Sequence, residues 1–451
     1  ARAWTGPLLL GLAVALSFLP AVNGLPLAAY VAIATGLLGG ILSLPALVQF
    51  VLSLLSPRVQ GSALALLALE RARRFPGSAA VATSGVVASL ALSVALTVMV
   101  SSFRHSVTQW LDVMLPADLY VRAAVAAGGA ETAVLPPDFV ARVASLPEIA
   151  RVSAVRQRSL TLDPARPNVM LLARSLRPEP GAAAPAPVPL PLVSAALPFP
   201  ASPDEIAIFV SEAMVDVYGA RLGQPLELPG LGGPRTRFVV SGIWRDYARQ
   251  HGSIAIDRQD YLRLSEDASV NDLAVFLQPG VAAATVRQAL EAGYRGRIEV
   301  SASQAIRQLS LRIFDRSFAV TYWLQAVAIG MGLMGVSASF SAQVMARRRE
   351  FGLLAHVGLS RRQILALVAG EGALWTLLGS VAGTLLGLAV SVVLVHVVNP
   401  QSFHWTMDLH LPWARLLALG LSVVLAGTLT AWLSGRLAAG QDAVQAVRQE
   451  Q

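Results

Sequence analysis

The chain contains no cysteine and no lysine, so all 35 of its basic side chains are arginine. Without cysteine no disulfide can staple any part of it, and each folded region must hold together by its own core. Without lysine the phosphate-binding loop G-x-x-x-x-G-K-[ST] cannot be completed. If ATP drives this protein, another chain binds it. Charge of either sign is scarce: 14% of the 451 residues are charged against 55% hydrophobic. With a mean hydropathy of +0.59 the chain is too apolar for an ordinary soluble enzyme. The sequence also lacks a G-x-S-x-G elbow and an H-E-x-x-H motif, so neither supports catalysis by this chain.

What is present is a set of long apolar runs. Six are long enough to cross a bilayer, at residues 4–22, 26–56, 78–103, 318–346, 364–398 and 414–435. Gly39, Gly40 and Pro45 predict a kink in the second. The net charge of +8 could suggest nucleic acid, but the arginines do not form one binding stripe. They sort by loop instead. Arg58, Arg71, Arg73 and Arg74 share one loop, Arg347 to Arg349 with Arg361 and Arg362 another, and Arg436 and Arg448 follow the last run. The short alternate loops, around Asn23 and over 399–412, have none. This bias places the arginine loops and both ends of the chain in the cytoplasm and residues 104–317 outside. The chain starts at Ala1, immediately before a span, and reads as cut from something longer.

The spacing predicts that two spans continue outward as a paired stalk, through Val107, Trp110, Leu111 and Met114 on one and Ile306, Leu309 and Ile313 on the other. The alternative is that these are surface helices of the outer domain. Within that domain helices are expected over 136–146, 211–219 and 281–292, with strands over 149–161, 205–210, 226–228, 236–243 and 273–277. The stretch 178–203, dense in proline and alanine, predicts a loop with polyproline character. The expected fold class is an α-helical membrane protein with six transmembrane helices and an extracytoplasmic α+β domain on a helical stalk. The expected divisions are 1–57, two linking spans; 58–117, an interfacial helix, a span and a stalk; and 118–302, the outer domain. Then follow 303–346, a stalk and span; 347–363, a cytoplasmic helix; 364–440, two spans; and 441–451, a tail.

The most specific stretch is residues 347–364, an amphipathic segment between two apolar runs: Gly358 suits a helix C-cap, and Ser360-Arg361-Arg362-Gln363 a capping box. It resembles the R-E-I-G-x-L-R-A-L-G-A-S-x-x-x-I signature of FtsX/MacB-type permeases of ABC transporters. Arg349, Glu350, Gly352, Leu354, Gly358, Ser360 and Ile364 agree, Phe351 is conservative, and Ala355 and His356 replace the usual Arg-Ala pair. The resemblance implies that this element is a coupling helix docking in a separate ATP-binding subunit. Its coupling residues would be Arg348, Arg349, Glu350, Phe351, Gly352, Leu353, Leu354, His356, Val357, Gly358 and Ser360. Leu66 to Gly77 resembles the approach to the first transmembrane helix of such a unit, or any basic interfacial helix. Val210-Ser211-Glu212, 222–226 and 238–243 resemble the periplasmic core domain of MacB-like proteins.

The resemblance implies a permease subunit, itself without cofactor, that transmits motion driven by ATP and Mg on partner ATPases to move or extract a lipid-like substrate. It implies a bacterial inner membrane location and two ATP-binding subunits. The spans before residue 57 resemble the linking pair of ten-span YbbP-like permeases, so a second FtsX-type half, or a second copy, is expected, with an accessory lipase or esterase possible. An FtsX-like regulator that switches a periplasmic hydrolase, and a secondary transporter, remain alternatives. Glu371 lies inside an apolar run, where a charge is either functional or a packed structural group. Gly379, Gly383 and Gly387 form a small-xxx-small ladder for close helix packing. His396, His404, His410 and Asp408 match no ligand spacing, and Phe403, Trp405 and Trp413 read as an interfacial aromatic belt.

Overall fold

The computed structural model describes residues 4–22, 24–55, 76–124, 133–136, 138–177, 189–200, 202, 204–294, 296–346, 350, 353, 356 and 358–438. The expected interfacial helix at 62–76, apart from Pro76, and half of the 178–203 loop therefore lie outside the described residues. The chain divides into a helical unit, residues 1–103, 317–402 and 407–451, and a sheet unit, residues 104–316 and 403–406.

The helical unit begins with α1 (Thr5–Ser17), α2 (Leu27–Leu55) and α3 (Pro76–Met114), the last running on into residues of the sheet unit. Five helical stretches among the described residues are long and apolar enough to span a membrane. The first expected run is not among them: α1 has 13 residues, about 20 Å of helix against the roughly 30 Å of a bilayer core. It stops at Ser17 because Pro20 follows, and the residue before a proline is driven out of the helical region. α1 crosses α2 closely, since a Cβ built on Gly39 would lie 2.9 Å from the Leu10 backbone nitrogen.

Among the described residues the sheet unit holds nine strands, in the order β5-β6-β4-β7-β3-β2-β8-β1-β9. In chain order they are β1 (Leu119–Ala123), β2 (Ile149–Leu160), β3 (Val169–Arg174), β4 (Glu205–Ser211), β5 (Pro225–Leu226), β6 (Arg237–Trp244), β7 (Ser253–Asp257), β8 (Asp272–Leu277) and β9 (Ile298–Ala302). Between them lie α4 (Phe139–Ala144), α5 (Glu212–Tyr218), α6 (Arg258–Leu264) and α7 (Ala283–Gly293). The pairs β3–β7 and β4–β6 are parallel and the others antiparallel. β2 belongs to both halves of the sheet. Its first residues pair with β8 and its last with β3, so it joins two cores. One gathers Ile206, Ile208, Val240, Ile254 and Tyr261. The other gathers Leu119, Phe139, Leu273, Val275 and Val300. Asp257 caps α6 by accepting the Gln259 amide at 2.9 Å, and Gly219, at φ +69°, ends α5 in the left-handed region open to glycine.

After β9 the chain continues as α8 (Ser303–Ser317), α9 (Ala319–Ala346), α10 (Arg361–Val393), a π-helical turn at Leu394–Val398, α11 (Asn399–Phe403) and α12 (Trp413–Ala438). Within the sheet unit the last turns of α3 lie beside α8. Arg307 pairs with Asp112 at 2.5 Å and Arg104 with Asp315 at 2.9 Å, and the Ser303 hydroxyl donates to the Leu115 carbonyl. Those ion pairs are exposed and position the two helices more than they stabilise them.

Candidate functional site

Three clusters of candidate residues can be placed. At the first, Arg348, Arg349, Phe351, Gly352, Leu354 and Val357 lie outside the described residues. Glu350, Leu353 and His356 are helical and exposed, Leu353 to 70%. Gly358 has φ +104°, a conformation that a Cβ would strain. Two residues on, the Gln363 amide donates to the Ser360 hydroxyl at 3.3 Å, and the Ser360 amide donates to the Gln363 side chain at 2.8 Å. That reciprocal pair satisfies two of the orphan amides at the start of α10. Between α9 and α10 the chain therefore breaks at a glycine and restarts at a fixed cap.

The second cluster is inside the helical unit. A Cβ on Gly387 would lie 2.6 Å from the Ala91 carbonyl oxygen and 2.7 Å from Val94 Cβ. On Gly383 it would lie 3.2 Å from Leu90 Cβ, and on Gly379 3.2 Å from Val86 Cγ1. The ladder is thus the seam along which α10 meets α3. Val86, Val87, Leu90 and Val94 of α3 share one core with Trp375 and Ala382 of α10 and with Leu416 and Val423 of α12. Glu371 is buried on α10, one turn before Trp375.

The third cluster is one that sequence reasoning missed. Residues 403–406, from the end of α11 towards α12, belong to the sheet unit as a strap. Glu212, the first residue of α5 and largely buried, takes the strap in a two-point grip. The Thr406 amide donates to Oε2 at 2.9 Å and the Thr406 hydroxyl to Oε1 at 2.6 Å. The Tyr247 hydroxyl donates to the Thr406 carbonyl at 3.0 Å, and the Tyr247 ring meets Trp405 edge-on at 4.7 Å. His404, at φ +59° the one non-glycine residue with positive φ among the described residues, lies 3.4 Å from Asp216. The expected aromatic belt is corrected here: Trp405 is buried at 7% exposure against Tyr247, whereas Trp413 stays 57% exposed. Spacing along the chain cannot show this, because 194 residues separate Glu212 from Thr406. Among the described residues no group of His, Asp and Glu gathers that could hold a metal. Beside the strap, Trp110, Val113, Pro191, Leu192, Arg245 and Tyr247 line a hollow of about 410 Å³.

Burial pushes the Glu212 carboxyl above its ordinary 4.5, against the lowering effect of the Thr406 bonds and of Arg245. An acid whose folded-state pKa is raised holds its proton where the unfolded chain has lost it. Its contribution is complete below pH 4.5 and declines as pH rises through the raised value. Glu212→Gln keeps an acceptor for the Thr406 amide and removes the titration. The gap in unfolding midpoint between this variant and the wild type is therefore expected to change from pH 4.5 upward. Midpoints that run parallel across that range would refute the assignment.

Residues 324–443 match the family model for the FtsX-like permease C-terminal region. An uncharacterized ABC transporter permease protein of Mycobacterium tuberculosis is 28% identical over 422 residues, covering 91% of this chain and 48% of that protein. The chain thus spans about half the length of the curated relative it matches. Among solved structures, the periplasmic region of MacB from Actinobacillus actinomycetemcomitans is similar at 11% identity and a TM-score of 0.30, over 43% of this chain and 92% of that one. The extracellular domain of the noncanonic ABC-type transporter YknZ from Gram-positive bacteria is similar at 10% identity and a TM-score of 0.27, over 41% and 98%.

Proposed function

We infer that this chain, an FtsX-like ABC transporter permease over its C-terminal helices, is the non-catalytic subunit through which a separate ATP-binding subunit moves or extracts a lipid-like substrate. The observation that carries this reading is the break between α9 and α10. Glu350, Leu353 and His356, helical and exposed, with the positive-φ Gly358 and the Ser360 cap after them, would give a partner a docking point ahead of the α10 start. ATP and Mg would sit on that partner, because no lysine is available here for a phosphate loop. Five apolar helices of spanning length support a multi-pass protein, and the inner membrane with the sheet unit outside is the placement the arginine bias favours. Extraction is favoured over switching of a hydrolase by the hollow beside Trp110 and Val113, which offers an apolar wall next to the end of α3. A second permease half and two ATP-binding subunits would complete the complex.

The test is co-purification. The full-length protein in mild detergent is expected to carry an ATP-binding subunit in stoichiometric amount. Replacing Glu350, Phe351 and Leu354 together should remove it without changing the unfolding midpoint. Full recovery of the ATPase by the triple variant would sink the peg assignment.

A further inference from the structure

We propose that a hollow of about 400 Å³ in the helical unit, lined by Arg415 and Tyr322, binds the phosphate of an anionic membrane lipid. Its other walls are Thr97 and Val100 of α3 and Leu419 of α12. Arg415 is exposed in the first turn of α12, and among the described residues its guanidinium has neither an acid partner nor a hydrogen bond. Among the described residues no carboxylate lines the hollow. The Tyr322 hydroxyl, on a side chain of a 43% exposed residue, is likewise unbonded among the described residues. Thr97 offers no donor, because its hydroxyl donates to the Ser93 carbonyl and accepts from Gln325 at 2.6 Å. The site therefore presents one cation and one hydroxyl, a donor set that suits a phosphate monoanion.

The surroundings select a lipid as the source. Trp413 and Trp323, 57% and 74% exposed, flank the two polar groups in sequence, as aromatic rings do at headgroup level. Beyond Arg415 the exposed leucines 417, 421, 425 and 429 recur every four residues along one face of α12. They cover about 18 Å of helix, close to one leaflet's share of a roughly 30 Å core. A headgroup at Arg415 would leave its acyl chain a matching ridge. The proposal rests on the membrane reading above but not on the ATP-binding partner.

The test is native mass spectrometry of the full-length protein in neutral detergent, titrated with phosphatidylglycerol, phosphatidylcholine and inorganic phosphate. A phosphatidylglycerol adduct is expected, with phosphatidylcholine weaker. Arg415→Gln should weaken it about tenfold, the loss of roughly one charge-assisted contact. Arg415→Lys should retain part of it, and Tyr322→Phe should lose less than Arg415→Gln. An unchanged unfolding midpoint and unchanged ATPase recovery in Arg415→Gln would separate this result from misfolding and from failure of the permease reading. Equal retention of phosphatidylglycerol by Arg415→Gln and wild type overturns the site. Displacement of the lipid by inorganic phosphate at equal concentration overturns the lipid as its occupant.

Discussion

Gly387→Leu is expected to prevent stable assembly of the helical unit, with no folded full-length protein recovered in detergent. The added Cβ alone would sit 2.6 Å from a backbone oxygen, that of Ala91, which cannot swing aside as a side-chain end can. Even Gly387→Ala should cost about 1–3 kcal/mol through overpacking. The effect should fall along the ladder, because the nearest atoms at Gly383 and Gly379 are 3.2 Å away and a shift of a few tenths of an ångström relieves them. Gly330→Leu on α9, where an added Cβ meets nothing within 4 Å, is the control and should leave the midpoint unchanged. Thermal unfolding of Gly387→Ala, Gly383→Ala, Gly379→Ala and Gly330→Leu measures the series, and recovery of folded protein reports on Gly387→Leu. Wild-type stability in Gly387→Leu would mean that α3 and α10 do not meet along this seam.

Asp246→Ala is expected to cost about 3–5 kcal/mol, the range for removing one partner of a buried charge pair. The Asp246 side chain is fully buried, and it accepts from the Ser253 hydroxyl at 2.7 Å and from the Ala248 amide and Arg249 guanidinium at 3.0 Å each. Truncation leaves all three donors without their acceptor. The same loop carries Tyr247, which holds the Thr406 carbonyl, so the loss should reach the strap. Faster hydrogen exchange at the Thr406 amide, which Glu212 otherwise protects, would report it. Asp246→Asn, which keeps one acceptor oxygen, should lie between Asp246→Ala and wild type. A strap whose exchange is unaltered in Asp246→Ala would show that Glu212 alone holds it.

The two halves of the chain were unequally legible. In the sheet unit the strands β4, β6 and β8 stand out as mostly apolar runs between turn residues and β2 as a mixed one, while β1, β3, β7 and β9 are not legible in the pattern. The unread strands are short: β1, β7 and β9 have five residues each and β3 six. β7 pairs in parallel with β3 and meets β4 only across a long connection, so no hairpin turn marks where it begins. In the candidate site the Gly358 break and the Ser360–Gln363 box were readable because both are local, involving groups within a turn of each other. The glycine ladder was readable as a packing face, since its period of four is a property of one helix.

By itself the sequence determined that this protein is dominated by apolar helices, that it cannot make a phosphate loop or a disulfide, and where α10 starts. These follow from composition and from interactions along a few consecutive residues. Only the tertiary structure decided that the ladder faces α3, that Trp405 is buried in a strap held by Glu212, and that Arg415 and Tyr322 share one hollow. Each of these joins residues far apart in the chain. Their meeting depends on how whole helices and strands bury their surfaces together, which no local pattern encodes.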